Sequence, residues 1–205
     1  MISIPGQMMN SEALKVFLLK KKVLFPHSNQ NMIIRKTEFS SAMRAGDRII
    51  TYPIRNIFDL LLFKRRISTL GEITELNADK NIIRFQVKGI CRVRIRALKK
   101  FREAFFYQVE SSPVKNEMVL CRELRTKAQE LIFLINVDES DRLIALLNFL
   151  SDLGQISDFI ANYFILDNSL RIELLNETDI MRRCDKLNGI IAKLINNFKN
   201  QAAAL

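Results

Sequence analysis

Strict alternation of apolar and polar side chains in residues 82–97 is the sequence feature that most constrains the fold. Apolar residues occupy every second position from Ile83 to Val87, and the pattern resumes from Cys91 to Ala97 with arginine between. Because neighbouring side chains of a strand point to opposite faces, a period of two predicts strands with one buried and one wet face. This region is therefore expected to form a β-sheet.

Turn-forming residues divide the same region. Asn77-Ala78-Asp79-Lys80 predicts a hairpin, and Lys88-Gly89 predicts a second break, where Gly89 suits a positive φ or a bulge. With the returning segment 101–110, we expect four consecutive strands between Gly71 and Glu110. They would form a meandering antiparallel sheet, and its apolar face must pack against another layer of the fold.

The residues before this sheet predict more short elements. Three lysines, Lys20 to Lys22, interrupt the first apolar stretch and are interpreted as a solvated strand edge. Thr37 suits the N-cap of a short helix that ends at Gly46. Residues 56–66 fit either a loop or a helix. The expected strands lie at 15–25, 31–35 and 48–54.

The pattern becomes helical after Pro113. Apolar residues there recur with a period near 3.6, and Asp, Ser and Asn stand at the expected caps. The first helix is expected to bury Val119, Leu120, Leu124, Leu131, Ile132 and Ile135. Five helices are predicted, at 117–135, 138–150, 154–166, 168–175 and about 178–199.

The last helix carries a heptad-like seam. Its apolar residues recur at intervals of four and three, which is typical of a helix packed on a partner helix. An ordinary bundle helix with period 3.6 remains an alternative over so short a stretch. The candidate packing and oligomer seam consists of Ile180, Cys184, Leu187, Ile191, Leu194 and Phe198.

Charge is distributed unevenly along the chain. Its net charge is +10, but residues 1–116 carry 22 basic and 9 acidic residues, and residues 117–205 carry 10 and 13. The basic first part is expected to attract acidic partners. Three distant cysteines, no secretory signal and no apolar stretch of about 18 residues predict a reduced, cytoplasmic protein without membrane association.

Sequence motifs for catalysis are missing. None of the six glycines belongs to a phosphate loop or a dinucleotide fingerprint, and the single histidine, His27, leaves no histidine pair for a metal. We therefore predict no catalytic residue, no metal site and no bound cofactor in this chain.

A run of basic residues is the candidate contact surface. Period two places Arg84, Lys88, Arg92, Arg94 and Arg96 on one wet face of the sheet. Such a face, with Lys99, Lys100 and Arg102 beside it, is compatible with weak nucleic-acid binding through phosphates. It lacks the aromatic residues on which bases stack, so nucleic acid is an alternative to protein partners here.

Several segments, in order, resemble the N-terminal domain of Lon ATP-dependent proteases. Residues 17–34 (FLLKKKVLFPHSNQNMII) contain the Phe-Pro at which the family's first apolar run ends. Leu18 stands where the family usually has proline, and His27 where it usually has glycine, so the opening turn is expected to differ. Residues 70–73 and 88–95 are similar to the family's Val-Gly-Thr and Glu-Gly-x-x-Arg-Ala-Arg-Ile motifs. Residues 172–184 resemble its helical ending, and the resemblance covers about residues 16–198.

The resemblance implies an α+β fold: a β-rich, PUA-like pseudo-barrel followed by an α-helical bundle that ends in a long helix. The expected boundaries are a tail at 1–15, the β-rich subdomain at 16–116 and the bundle at 117–200. Residues 201–205 (QAAAL) are interpreted as a vector-derived tail.

The resemblance also implies a function. Such a domain would recognise unfolded or degron-bearing proteins and support the oligomer of a Lon-type protease, in which the ATPase and Ser-Lys peptidase parts, with ATP and Mg, lie elsewhere. Its partners would be damaged proteins and, through the last helix or the parent hexamer, copies of itself. The alternatives are a free-standing Lon-domain protein that binds proteins or ligands, and a basic nucleic-acid-binding module.

Overall fold

The computed structural model describes residues 13–62, 66–99, 102–111, 114, 116–135 and 138–203. The predicted tail therefore lies outside the described residues as far as residue 12. The strands are β1 (Leu14–Lys20), β2 (Asn29–Arg35), β3 (Arg48–Ile54), β4 (Ile67–Ala78), β5 (Ile82–Lys99) and β6 (Glu103–Gln108). The helices are α1 (Glu38–Ser41), α2 (Glu117–Ile135), α3 (Ser140–Phe149), α4 (Leu153–Tyr163), α5 (Asn168–Asn176) and α6 (Ile180–Ala203), with a 3₁₀ helix at Ile57–Leu62.

The described chain divides into two compact units. One contains the strands together with Leu166–Asn176, and the other contains the remaining residues from Ser111 onward. None of the helices in the described ranges is both long and apolar enough to cross a bilayer.

The sheet closes into a ring of five strands. β5 pairs with β4, β4 with β3, β3 with β1, β1 with β6, and β6 again with β5. The β1–β3 pair is parallel and the others are antiparallel. β2 pairs with the first part of β5 and stands outside the ring. The predicted α+β fold, a β-rich pseudo-barrel followed by helices, is confirmed.

β5 is one strand of 18 residues, where the sequence predicted two strands divided at Lys88-Gly89. Gly71 of β4 pairs with Gly89, and the neighbouring Leu70 pairs with Cys91, so Ile90 is an extra residue on β5. Such a β-bulge bends a strand without ending it. It also reverses which face later side chains occupy, since adjacent residues of β4 face opposite sides.

Because of this reversal, β5 contributes to two hydrophobic cores on opposite sides of the sheet. Before the bulge, Ile83, Phe85 and Val87 are buried in one core, and after it Val93 and Ile95 are buried in the other. The ring core lies inside the ring and consists of Val16, Ile50, Tyr52, Leu70, Val93, Ile95, Ala104 and Phe106. The outer core consists of Leu19, Leu24, Met32, Met43, Ile49, Ile73, Ile83, Phe85 and Val87.

The segment between β1 and β2 lies directly on the bulge. The N–H of His27 donates to the carbonyl of Gly89 at 2.9 Å, and the N–H of Gly89 donates to the carbonyl of Ser28 at 2.8 Å. Phe25 is fully buried. A Cβ at position 89 would stand 2.1 Å from the carbonyl oxygen of Phe25. Glycine is therefore required there by close backbone contact and not by a positive φ.

Helix α5 packs with the strands of the first unit. The side-chain oxygen of Asn176 accepts from the N–H of Ile67 at 2.8 Å, and Arg55 donates to the carbonyl of Ser169 at 3.1 Å. The sequence pattern predicted this helix in the bundle of residues 117–200, and the contacts group it with the sheet instead. Its apolar pattern did not reveal which partner it covers.

In the second unit, α2 packs against α3, α4 and α6, and α4 also packs against α6. The buried residues of α2 are Cys121, Leu124, Ala128, Leu131 and Ile132, whereas Val119, predicted to be buried, is 56% exposed. Arg183 of α6 is 1% exposed and lies among polar groups. It donates to the hydroxyl of Ser157 at 3.0 Å and to the carbonyl of Glu177 at 2.9 Å, and it lies 4.0 Å from the carboxylate of Asp158.

We predict that Gly89→Ala destabilises the fold by about 2 kcal/mol or more, because backbone atoms block the new methyl group. The matched control is Gly189→Ala. A Cβ at Gly189 meets nothing within 4 Å inside α6, so alanine should stabilise this helix by about 0.5–1 kcal/mol. Urea unfolding followed by circular dichroism measures both. Equal midpoints for Gly89→Ala and wild type would contradict the packing of Phe25 on the bulge.

We predict that Arg183→Met lowers the free energy of unfolding by about 3–5 kcal/mol, because it leaves the buried carboxylate of Asp158 without this cation. Arg182→Met is the control, since the Arg182 side chain is 76% exposed in its pair with Asp179; its change should stay within about 1 kcal/mol. Thermal and urea unfolding of both variants provide the comparison. A loss no larger than that of Arg182→Met would show that the buried pair contributes little.

Candidate functional site

The five candidate contact residues of β5 do not lie on one face. The bulge at Ile90 places Arg84 and Lys88 on one side of the sheet and Arg92 and Arg94 on the other. A second irregularity follows between Ile95 and Ala97. The continuous basic face expected from the sequence is therefore not formed. Lys100, expected beside it, lies outside the described residues.

Arg92 is buried and stabilises the fold. It is 7% exposed, and its Nε donates to the carbonyl of Leu175 at 3.1 Å. Leu175 belongs to the last turn of α5, whose carbonyls lack helical partners and carry partial negative charge. Arg92 thus holds the end of this helix on the sheet and is not available to a ligand.

Arg171 fixes the same helix to the segment between β1 and β2. Its guanidinium donates to the carbonyl of Val23 at 3.2 Å and lies 5.7 Å from the centre of the Phe25 ring. Burial lowers the pKa of Arg171, which remains a cation at neutral pH. No sequence pattern indicated that Arg92 and Arg171 both attach α5.

The predicted seam of α6 lies largely inside its own unit. Ile180, Cys184, Leu187 and Ile191 are at most 5% exposed. The buried stripe then continues at Ile195, while Leu194 and Phe198 are half-buried. A step from 191 to 195 follows the period of 3.6 and leaves the heptad. The geometry agrees with the ordinary bundle helix, and the first four seam residues are not available to a second chain.

A shallow groove lies on a three-stranded arm, formed by β2, residues 82–88 of β5 and residues 72–78 of β4. Pairing aligns Ile33 with Arg84 and Asn77 on the face opposite the outer core. The groove has a volume of about 270 Å³. Ile33 is 68% exposed within this polar face, and Arg84 forms an ion pair with Asp79.

Large apolar side chains are exposed on two helices of the second unit. On α2, Met118 is 82% and Phe133 66% exposed; on α3, Leu146 is 39% and Phe149 86% exposed. Leu146 and Phe149 are three residues apart and therefore share one face of α3. These four residues were not among those predicted from the sequence to bind a partner. The available signal was their position off the buried stripe of each helix.

The ionisable groups do not form a reactive centre in the described part of the chain. Burial raises the pKa of all three thiols, and that of Cys184 to about 12, so they are neutral at neutral pH. His27 is exposed in the turn on Gly89, with a φ of 61°. Within the described ranges no group of three or more His, Cys, Asp or Glu could hold a metal ion.

Tyr52 and Asp59 attach the 3₁₀ helix to the ring. Burial raises the pKa of Tyr52 to about 12, and its hydroxyl donates to the carbonyl of Asp59 at 2.8 Å. Burial alone would raise the pKa of the Asp59 carboxyl. The N–H of Arg55 and the guanidinium of Arg66, 2.8 Å away, outweigh burial, and the pKa is lowered. These buried polar groups are paired with each other and serve the fold.

The chain is similar to known proteins in sequence and in fold. Residues 13–193 match the family described as the ATP-dependent protease La (LON) substrate-binding domain. No curated protein matches the sequence significantly. Among solved structures, the N-terminal domain of Lon protease from the Mycobacterium avium complex is similar, with a TM-score of 0.66 and 15% identity. That alignment covers 88% of this chain and 98% of the other.

A second solved structure, a Lon N-terminal domain protein from Xanthomonas campestris, has a TM-score of 0.54 and 16% identity. The alignment covers 87% of this chain and 98% of that one. At such identities the likeness supports the fold, while the sequence match supports the family. The matched family is the non-catalytic substrate-binding part of the protease. The chain belongs to the family of Lon substrate-binding domains.

Proposed function

We propose that this chain recognises unfolded or degron-bearing proteins for a Lon-type ATP-dependent protease in the cytoplasm. The observation that carries the proposal is the family match over residues 13–193, in a chain that exposes large apolar side chains on α2 and α3. Binding is non-covalent. ATP and Mg act in the ATPase part of the parent protein.

The exposed apolar side chains suit this role because unfolded proteins expose apolar and aromatic segments. Covering one large side chain stabilises a complex by roughly 1.5–3 kcal/mol. Much of this gain is offset by the entropy lost when a flexible client is ordered. A single domain should therefore bind weakly. Several copies in one oligomer raise the effective concentration of binding sites and retain the client.

The apolar surface with which α6 can support an oligomer is smaller than the sequence predicted for its seam. Leu194 and Phe198 are its half-buried members, so they are the positions at which α6 offers apolar surface to another chain. The free thiols Cys91, Cys121 and Cys184 agree with a reducing compartment. The separation of the basic residues onto two faces favours protein clients over nucleic acid.

We predict that the chain alone, without ATP, binds fluorescein-labelled, reduced and carboxymethylated α-lactalbumin saturably, and that Phe133→Ser/Phe149→Ser weakens this affinity roughly tenfold. Fluorescence anisotropy measures the binding. Phe58→Ser is the control, because Phe58 is equally large and 72% exposed on the first unit; it should change the affinity by less than about twofold.

Two results would contradict this proposal. Lack of saturable binding by wild type would remove the recognition role itself. Equal affinity for wild type and the double variant would show that clients bind elsewhere. Since both phenylalanines are largely exposed, the double variant should unfold at the same urea concentration as wild type, within about 0.5 kcal/mol.

A further inference from the structure

β2 is an edge strand whose outward backbone groups can be identified. Within the described residues it pairs on one side only, with β5. The carbonyl of Ser28 accepts from Gly89 at 2.8 Å, and the N–H of Lys36 donates to the carbonyl of Asn81 at 2.9 Å. Because backbone groups alternate in direction along an edge strand, even-numbered residues face β5 and odd-numbered residues face outward.

The outward groups of Asn29, Asn31 and Ile33 belong to exposed residues. The carbonyl of Asn31 accepts one long bond from the exposed amino group of Lys22, at 3.5 Å. The next outward carbonyl, that of Arg35, accepts from Ser40 at 3.3 Å. The edge open to another strand therefore runs from Asn29 to Ile33. Unpaired edge groups of this kind are the site of strand addition in peptide recognition.

The two faces beside this edge differ in chemistry. On one face, Met32 is buried in the outer core and Ile34 packs against it. On the other face lie Arg35 and, one strand further in, Lys88 and Arg84, which pairs with Asp79. The acidic Glu72 and Glu75 of this face lie on β4, the strand farthest from the edge. Since side chains of an added strand alternate between these faces, its complementary sequence alternates apolar with acidic residues.

Positive charge continues past the C-terminal end of β2. A cavity of about 650 Å³ is lined there by Arg35, Lys36 and Lys80, together with polar residues and Ile82. Pairing of β2 with β2 of a second copy would bring Lys22 and Arg35 of one chain close to the same two cations of the other. Like charges on an edge oppose such pairing. An acidic segment is attracted by the same cations, so the charge favours a client over a second copy.

We propose that the edge of β2 from Asn29 to Ile33 takes up an extended client segment, in which acidic and apolar residues alternate, as an added strand. This inference rests on the proposed function and specifies the client segment and its site. The added strand forms backbone hydrogen bonds to the outward groups of Asn31 and Ile33. Its apolar side chains extend the outer core, and its acidic side chains face Arg35, Arg84 and Lys88.

The test compares Ile33→Pro with Ile33→Thr in the whole chain. Proline removes the outward N–H of residue 33 and is tolerated on an edge because this N–H does not bond to β5. Threonine keeps the N–H and the β-branched shape. The probe is a fluorescein-labelled twelve-residue peptide in which glutamate alternates with valine. Fluorescence anisotropy should show that Ile33→Pro binds it at least about tenfold more weakly, and Ile33→Thr within about threefold of wild type.

Two further peptides test backbone and charge without altering the protein. N-methylation of alternate residues should abolish binding, which keeps the test valid if Ile33→Pro does not fold. Lysine in place of glutamate should weaken binding at least about tenfold. Unchanged affinity after N-methylation, or equal affinity for the two charges, would overturn the proposal. A dimer of the chain that Ile33→Pro dissociates, seen by sedimentation velocity with no peptide bound, would overturn it in favour of a second copy.

The peptide and α-lactalbumin experiments together distinguish failure of the edge site from failure of the proposed function. If the peptide does not bind but unfolded α-lactalbumin still does, and Phe133→Ser/Phe149→Ser still weakens it, client recognition stands and only the edge site falls.

Discussion

One extra residue in β5, Ile90, determines how the first unit is built. Its insertion opposite the Leu70–Gly71 step exchanges the faces that the following side chains of β5 occupy. The first half of this strand therefore contributes side chains to the outer core, and the second half contributes them to the ring core. A bulge of this kind needs support, because it interrupts the ladder of backbone hydrogen bonds. The turn at residues 25–28 supplies that support by bonding to both backbone groups of Gly89.

This arrangement explains why β2 has an open edge. The second half of β5 pairs with β6 and closes the ring, whereas the first half extends beyond the ring with β2 on its outer side. Closed rings remove strand edges, whereas in the arm β2 keeps an edge with no partner among the described strands. The same bulge that produces two cores therefore also produces the groove and the outward backbone groups of the arm.

The basic charge of the first unit has more than one role. Arg92 and Arg171 are largely withdrawn from solvent and attach α5 by donating to backbone carbonyls. Arg35, Lys36 and Lys80 remain at the surface around one cavity. A buried arginine that satisfies carbonyls stabilises the fold and cannot recognise a client, while exposed cations attract acidic segments. Net charge alone does not separate these roles.

The sequence by itself determined the α+β fold class, the approximate bounds of most elements and the family, because hydrophobic period, caps and motif order are local signals. The N-cap at Thr37, and the full extent of β3 and α2, follow from such signals. Strand pairing and the packing of α5 determined the remaining features of the fold. The number of strands in residues 82–99 depended on what lies opposite Ile90, and the place of α5 depended on arginines far away in sequence. Only the tertiary structure separated the basic residues onto two faces and left β2 at an edge, because the face of a strand residue is set by register with its neighbours and not by its own sequence.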